Sequence, residues 1–450
     1  MSNTKIDMLH GPLLMKIIVF ALPLAASSML QQLFNSIDVA VVGRFVGSDA
    51  LAAVGSNGPV ISLLINLFIG VSMGANVIIS NHIGQNDNQG IRRAVNTVSF
   101  VALISGLFLM ILGFFVAKPI LLLIDTPKEV IDMAALYLRI YFIGMPFFMI
   151  FNFGAAILRS MGDTKRPLYI LVVSGIVNVV LNLIFVLVFD MGIAGVAIAT
   201  SISNAVSAVV IVILLLKEEE PFRLHLNSLK IYNVELKRML QIGIPAGIQG
   251  MIFSLSNVVV QSEINSYGAS AVAGSAAALN FEYYCYFIIQ GFNGAAISFI
   301  GQNYGAGNIH RVRRIFYICL IMSFVLCGCF NGLFIWQENL FLSLFTTDAD
   351  VIPYGVSRMN TVLAFQFVAS SYEIAGSSMR GMGKSVTPAL LTVFGTCLLR
   401  IAWVGLVCPL WRGFDILMFV YPLSWGVTGI LVLVAYYAHI RHSMQGIAKI

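Results

Sequence analysis

The chain has 450 residues, of which 59% are hydrophobic and only 10% charged, with a mean hydropathy of +0.91. Soluble domains carry about 25% charged residues, so this chain cannot coat a water-facing exterior, and lipid must solvate much of its surface. The formal charge of +6 is scattered over short loops and leaves no basic stripe, the footprint a nucleic-acid partner would need.

Charges, glycines and prolines divide the chain into apolar runs. The first, Ile17 to Val42, is too long for the core of a signal peptide and has no small-residue cleavage site, so it reads as a membrane span. Spans are expected at 14–42, 51–80, 94–117, 131–157, 168–189, 193–216, 239–265, 271–300, 315–336, 353–379, 386–411 and 414–438. Helices are the economical way to cross, because every backbone N–H and C=O must be satisfied within the membrane. With both termini cytoplasmic, 19 of the 26 Lys and Arg fall on inner loops and ends, among them Arg92, Arg93, Arg313, Arg314 and Lys449. Arg44, Lys118, Lys128, Arg139, Arg358, Arg400 and Arg412 lie outside or within spans. The bias follows the positive-inside rule and suits an inner, cytoplasmic membrane.

The chain also repeats. An offset of 221 carries Gly47 to Gly268, Gly70 to Gly291, Arg92-Arg93 to Arg313-Arg314, Arg159-Ser-Met-Gly162 to Arg380-Gly-Met-Gly383, and Pro167 to Pro388. An offset of 222 carries Pro23 and Asn35 to Pro245 and Asn257. Six spans per half is an even number, so both halves enter the membrane in the same orientation and form a parallel repeat. The expected architecture is an all-α polytopic membrane protein of twelve transmembrane helices in two six-helix bundles. The halves are 1–216 and 239–450, joined by a polar link at 217–238.

An ionisable side chain at the centre of a span costs about 2.5–3.5 kcal/mol on insertion scales and needs a reason. Four acids qualify: Asp38, Glu263, Glu282 and Glu373. Asp38 lies near the outer end of span 1 with Asn35 one turn earlier, while Asn178 and Asn182, four apart, share a face of span 5. A carboxylate with amide and hydroxyl oxygens suits a monovalent cation or a titrating proton; the plainer alternative is a structural aspartate. Glu282, roughly 18 Å into span 8 at about 1.5 Å per residue, has Phe281, Tyr283, Tyr284 and Tyr286 as neighbours. It could hold a lipophilic cation by charge and cation–π contact, or it could be a core acid paired to Arg400, deep in span 11. Glu373 lies near the cytoplasmic end of span 10, within reach of water or Arg380. Gly84-Gln85-Asn86 and Gly301-Gln-Asn-Tyr-Gly305 read as turns in which glycine ends a helix in the left-handed region.

Enzymatic motifs do not hold up. Gly70-Val-Ser-Met-Gly74 matches GxSxG but lies in a span, and its repeat copy has Asn293 in place of the serine. Gly383-Lys384-Ser385 mimics the end of a P-loop, yet position 378 is Ser where glycine is required. Without an ATP site, energy must come from an ion gradient or a partner.

The repeated blocks FNSIDVAVVGRFVG, ILRSMGDTKRP and NVVLNLIF followed by GIAGVAIAT, with GIPAGIQG, GQNYGAGN and SMRGMGKS in the second half, resemble the multidrug and toxic compound extrusion (MATE) transporters over essentially the whole chain. The resemblance implies twelve helices in two lobes and export of amphipathic, often cationic small molecules, coupled to sodium or protons. No organic cofactor is expected, and the protein is expected to act as a monomer among membrane lipids. The resemblance further implies a cation site at Asp38, with Asn178, Asn182 and Thr200. Relatives commonly carry Asp where this chain has Asn182, so the site has one carboxylate rather than two. Other members use acids on spans 7 and 10; the matching positions here are Phe253 and Ala369, so that site is not carried over. Glu282, Tyr283, Tyr286, Glu373 and Arg400 are the candidate substrate contacts. The alternative function is a lipid-linked oligosaccharide flippase of the same superfamily, disfavoured here because the acids match or exceed the buried arginines.

Overall fold

The computed structural model describes residues 5–124, 126–346 and 348–447; Lys449 lies outside them. The secondary structure of the described residues is all helical, joined by turns and loops, with no strand. The helices are α1 (Leu13–Val41), α2 (Ser48–Gly84), α3 (Asn88–Leu123), α4 (Ile131–Ile143), α5 (Met145–Ser160), α6 (Lys165–Leu183), α7 (Gly192–Leu216), α8 (Asn233–Asn265), α9 (Ala269–Gly305), α10 (Ile309–Trp336), α11 (Glu338–Ser343), α12 (Ile352–Thr361), α13 (Ala369–Gly381), α14 (Val386–Thr392), α15 (Leu399–Ala402), α16 (Phe414–Met418) and α17 (Val420–Ile447).

Among the described residues, nine helical runs are long and apolar enough to span a bilayer. A tenth is the pair α4–α5, bent by 47° where Pro146 opens α5 just after Gly144; the missing proline N–H accounts for the break. The other two expected spans are helical but less apolar. One is α9, with 37 residues. The other is the run Ile352–Gly381, where α12 and α13 are joined by a 3₁₀ segment, Leu363–Val368. In both, polar residues turn inward: Ser275, Glu282, Asn293, Arg358, Gln366 and Glu373 are buried. Their mean hydropathy falls because they face protein rather than lipid.

The repeat is visible in the backbone. Left-handed glycines recur in register, Gly47 with Gly268 and Gly162 with Gly383. At the two polar glycine turns the positive φ falls further on than expected, at Asn86 and Gly307 rather than at Gly84 and Gly305. The next residues, Asp87 and Asn308, cap α3 and α10 by accepting from the Gly90 and Arg311 N–H groups at 2.8 and 3.1 Å. Side-chain capping at these points satisfies donors the helix start would leave open.

The chain divides into two compact units, one of Met1–Ile6 with Ala26–Gly247, the other of Asp7–Ala25 with Ile248–Ile450. The division cuts α1 just after Pro23 and α8 just after Pro245. Residues 217–238 pack within the first unit. There Glu218 accepts from Lys5 Nζ at 2.8 Å and from Arg166 Nη1, and the Tyr232 N–H donates to Thr97 Oγ1 at 3.1 Å. His82 Nε2 lies 3.0 Å from Glu235 Oε2 in the same unit.

Both units contain very close helix crossings built on small residues, and one in each occupies a corresponding place in the repeat. In the first, a Cβ on Gly70 of α2 would fall 2.3 Å from the Gly247 nitrogen of α8, and one on Gly243 would fall 2.4 Å from Val71 Cα. In the second, a Cβ on Gly291 of α9 would fall 2.6 Å from the Ala21 carbonyl oxygen of α1. Small residues allow such approach where lipid offers no hydrophobic drive between helices.

Gly70→Val should destabilise the protein by about 1–3 kcal/mol through overpacking, lowering the melting temperature in detergent. Gly55→Val, on the same helix with open space around it, should be neutral or stabilising. A second prediction concerns pH. Burial alone would raise the Glu218 carboxyl, but hydrogen bonds from Lys5 and Arg166 outweigh it and hold it below its ordinary value. A depressed folded value contributes stability above the unfolded pKa, about 4.3 for a glutamate, and that contribution is lost as pH falls through the folded value. Melting of Glu218→Gln should therefore lose stability less steeply than wild type as the buffer is acidified below pH of about 4.3.

Candidate functional site

In the first unit, α1 is drawn onto α6 where Gly175 leaves room for Phe34; a Cβ there would fall 1.8 Å from the ring. That approach brings Asp38 to α6 and α7. Asn182 Nδ2 donates to Asp38 Oδ1 and, at 3.2 Å, to Asn178 Oδ1. Thr200 Oγ1 lies 3.2 Å from Asp38 Oδ2 and 3.3 Å from Asn178 Nδ2. Asp38, Asn178 and Asn182 are all buried. Asn35, expected beside them, is exposed and does not join the cluster. π-helical turns begin within one turn after Asp38 and Asn182, at Val42–Val46 and Ile184–Val188. Such turns widen a helix and are frequent at functional sites.

The cluster holds a single carboxylate bonded only to neutral groups. Asn182 Oδ1 is buried with no hydrogen-bond partner among the described residues. Together with the Asp38 oxygens, Asn178 Oδ1 and Thr200 Oγ1, it forms an all-oxygen donor set. Such a set fits a sodium ion, or a proton on Asp38 itself. The orphaned amide oxygen is the specific sign that the shell is incomplete without a cation or a donor.

In the second unit a cavity of about 290 Å³ is lined by residues of α8, α9, α12, α13, α15 and α17 and by Gln366 of the 3₁₀ segment. Of the expected substrate contacts, Glu282, Tyr283, Tyr286 and Arg400 line it. Glu282 is not free to hold a cation. Arg358 of α12 grips it through two bonds, Nε to Oε1 at 2.6 Å and Nη2 to Oε2 at 2.9 Å, with both side chains buried. The bonds form a bidentate fork, and Arg358 also donates to Ser275 Oγ at 2.7 Å. The expected partner, Arg400, is bonded elsewhere, to Asn257 Oδ1 at 2.8 Å and Ser424 Oγ at 3.2 Å. Its guanidinium lies over the Tyr421 and Phe253 rings, at 4.5 and 5.2 Å from their centroids.

Glu373 does not line the cavity. It is buried, accepting from Tyr286 Oη and Asn293 Nδ2, each at 3.0 Å. Arg380 donates to Gln249 Oε1. Among the described residues, the buried charges of the second unit are thus Arg358, Arg380 and Arg400 against Glu282 and Glu373. The expectation that acids match or exceed the buried arginines is therefore reversed in this unit. Sequence reasoning missed Arg358 as a functional partner. Its signal was present, since an arginine inside a span needs an acid nearby, but α9 and α12 are far apart in the chain and nothing in the sequence pairs them.

A model of the MatE family matches residues 23–184 and 245–404, one match in each half of the repeat. The probable multidrug resistance protein YoeA of Bacillus subtilis (strain 168) is 28% identical over 84% of this chain and 83% of its own length. The probable multidrug resistance protein YpnP of the same organism is 28% identical over 90% of this chain and 91% of its own. A solved structure, the outward-facing conformation of a multidrug resistance MATE family transporter of the MOP superfamily, aligns with a TM-score of 0.91 at 22% identity, covering 99% of this chain and 100% of that one. At that identity the likeness shows the fold alone.

The Glu282–Arg358 pair leads to a stability prediction. Glu282→Gln should destabilise the protein by about 3–5 kcal/mol, because it strands a buried guanidinium. The double variant Glu282→Gln/Arg358→Met should recover most of the loss. Thermal unfolding of the purified protein checks both; a single variant as stable as wild type would refute the assigned pairing.

Proposed function

The chain belongs to the MatE family of membrane transporters, and from that premise we propose that it is a secondary active multidrug exporter, an antiporter of the inner membrane with both termini cytoplasmic. In this reading sodium or a proton binds at Asp38, with Asn178, Asn182 and Thr200. Its binding favours the state that releases an amphipathic small molecule to the outside, and the exchange proceeds by alternating access. The relatives' names as probable multidrug resistance proteins support the cargo class.

The observation that carries the reading is the single carboxylate of Asp38 held among neutral partners. A salt-bridged acid would resist a mobile cation, because its charge is already met. Asp38 has only amide and hydroxyl dipoles around it. Where relatives commonly place a second acid, Asn182 donates a hydrogen bond to Asp38. The site therefore takes up one positive charge per turnover, as one sodium ion or one proton.

The arginine excess of the second unit restores some weight to the flippase reading, since phosphates seek guanidinium groups. The relatives' names as probable multidrug resistance proteins favour the exporter reading over it.

Purified protein in vesicles, under imposed sodium or proton gradients and with a dye panel spanning both charges, tests the proposal. Wild type should export under one of the two gradients. Asp38→Asn, nearly isosteric, should fall to the protein-free rate while remaining folded in the membrane. Undiminished gradient-driven export by that variant would remove Asp38 from the mechanism.

A further inference from the structure

The cavity of the second unit contains one positive charge that the protein itself leaves unanswered. Its charged lining residues are Glu282, Arg358 and Arg400. Both Glu282 carboxylate oxygens are engaged by Arg358, so those two cancel. Arg400 is 1% exposed, and among the described residues its hydrogen-bond acceptors are the neutral oxygens of Asn257 and Ser424. Its Nη2 is buried with no partner among the described residues. Gln366 Oε1, on the same wall, is also without one. Phe253 and Ala369, the two positions where other members of the family were expected to carry acids, line this same cavity. The acids that would receive a cation are absent, and a guanidinium stands in their neighbourhood.

We propose that this cavity is a binding site for the acidic end of an amphipathic compound, a carboxylate, sulfonate or phosphate joined to an aromatic or apolar body, with Arg400 as the anion contact. This deepens the exporter reading and rests on it only for how a ligand comes to reach the cavity. The guanidinium is fixed by Asn257, Ser424 and the Tyr421 ring, so the free N–H is held in place at little further entropic cost. An anion meeting it forms a charge-assisted hydrogen bond, about twice as strong as a neutral one. Tyr283, Tyr286 and Trp425 line the cavity and offer aromatic surface to an apolar body. A cation entering the same space would face a net positive wall, and the one nearby carboxylate is already forked to Arg358.

The test uses the full chain in phosphatidylcholine nanodiscs, with energy transfer from tryptophan to three dansyl probes of different charge: anionic dansylglycine, neutral dansylamide and cationic dansylcadaverine. Of the four tryptophan donors, Trp425 lines the cavity, so binding there is read as the saturable part of the transfer that a Trp425→Phe variant loses. Wild type should bind dansylglycine at least about tenfold more tightly than dansylamide, the gain expected of one charged hydrogen bond, with dansylcadaverine weakest. Arg400→Gln should bring dansylglycine down to the affinity of dansylamide, and Arg400→Lys should keep part of the preference. Adding phosphatidylglycerol to the discs separates two sources of the same chemistry. Displacement of dansylglycine points to a lipid headgroup, and its retention points to a soluble organic anion; either outcome keeps the anion site. Saturable preference for dansylcadaverine, equal binding of the three probes, no saturable binding, or a preference that survives Arg400→Gln would each overturn the assignment. If Arg400→Gln does not fold, the wild-type order of the three probes decides. A wild type that exports under an ion gradient yet prefers dansylcadaverine would overturn this inference and leave the exporter reading intact.

Discussion

A charge inside a membrane-spanning bundle must be answered within a few ångströms, because neither lipid nor a packed helix interface can screen it. The fork between Arg358 and Glu282 is such an answer inside one cavity. It joins α9 to α12, the two elements whose sequences are too polar to pass as ordinary lipid-facing helices. A pair of this kind adds little net stability over an apolar replacement, yet losing one member is costly. It therefore fixes the packing of two helices and at the same time removes both charges from the cavity's electrostatics. What the cavity offers a ligand is set by the charge left over, Arg400.

The helices can carry these groups because small residues set how closely their backbones approach. Gly70 lets α2 press on α8 in the first unit, and Gly291 lets α9 press on α1 in the second. The two crossings correspond under the repeat. The offset of 221 takes Gly70 to Gly291, and that of 222 takes Ala21 and Ala25 to Gly243 and Gly247. The same economy operates nearer the polar groups. Gly175 admits Phe34 beside the Asp38 cluster, and a Cβ on Gly395 would fall 2.5 Å from Thr428 Oγ1 on α17, the helix that also supplies Ser424 to Arg400.

Much of this was legible in the sequence, for physical reasons that also explain the rest. Span lengths and the repeat are written in hydropathy and in glycines that need a left-handed backbone, as at Gly162 and Gly383. The Asp38 cluster was reachable because Asn178 and Asn182 share a helix face and the family resemblance supplied Thr200. Asn35 was misplaced because one turn on a helix also rotates a side chain toward the exterior. The partner of Glu282 was misassigned to Arg400 because depth in a span says nothing of azimuth: both arginines lie within spans, and only packing shows which one faces α9. A count of charges over the whole chain likewise concealed that the arginines gather in one unit.

The repeat gives that gathering a meaning. The offset of 221 that takes Pro167 to Pro388 takes Asn178 to Leu399, the residue next to Arg400. Neighbouring stations in the two units thus hold a neutral amide beside Asp38 in one and a guanidinium beside Asn257 in the other. Each charge is held by neutral dipoles alone: an amide and a hydroxyl for Asp38, an amide oxygen, a hydroxyl and two ring faces for Arg400. Neutral dipoles can keep a buried charge in place, but they do not cancel it, so a mobile ion of opposite sign still gains by arriving. A built-in counter-ion would have ended that gain, as it has for Glu282. Two copies of one scaffold have in this way come to present opposite charges at related positions, a carboxylate that suits an inorganic cation and a guanidinium that suits an organic anion.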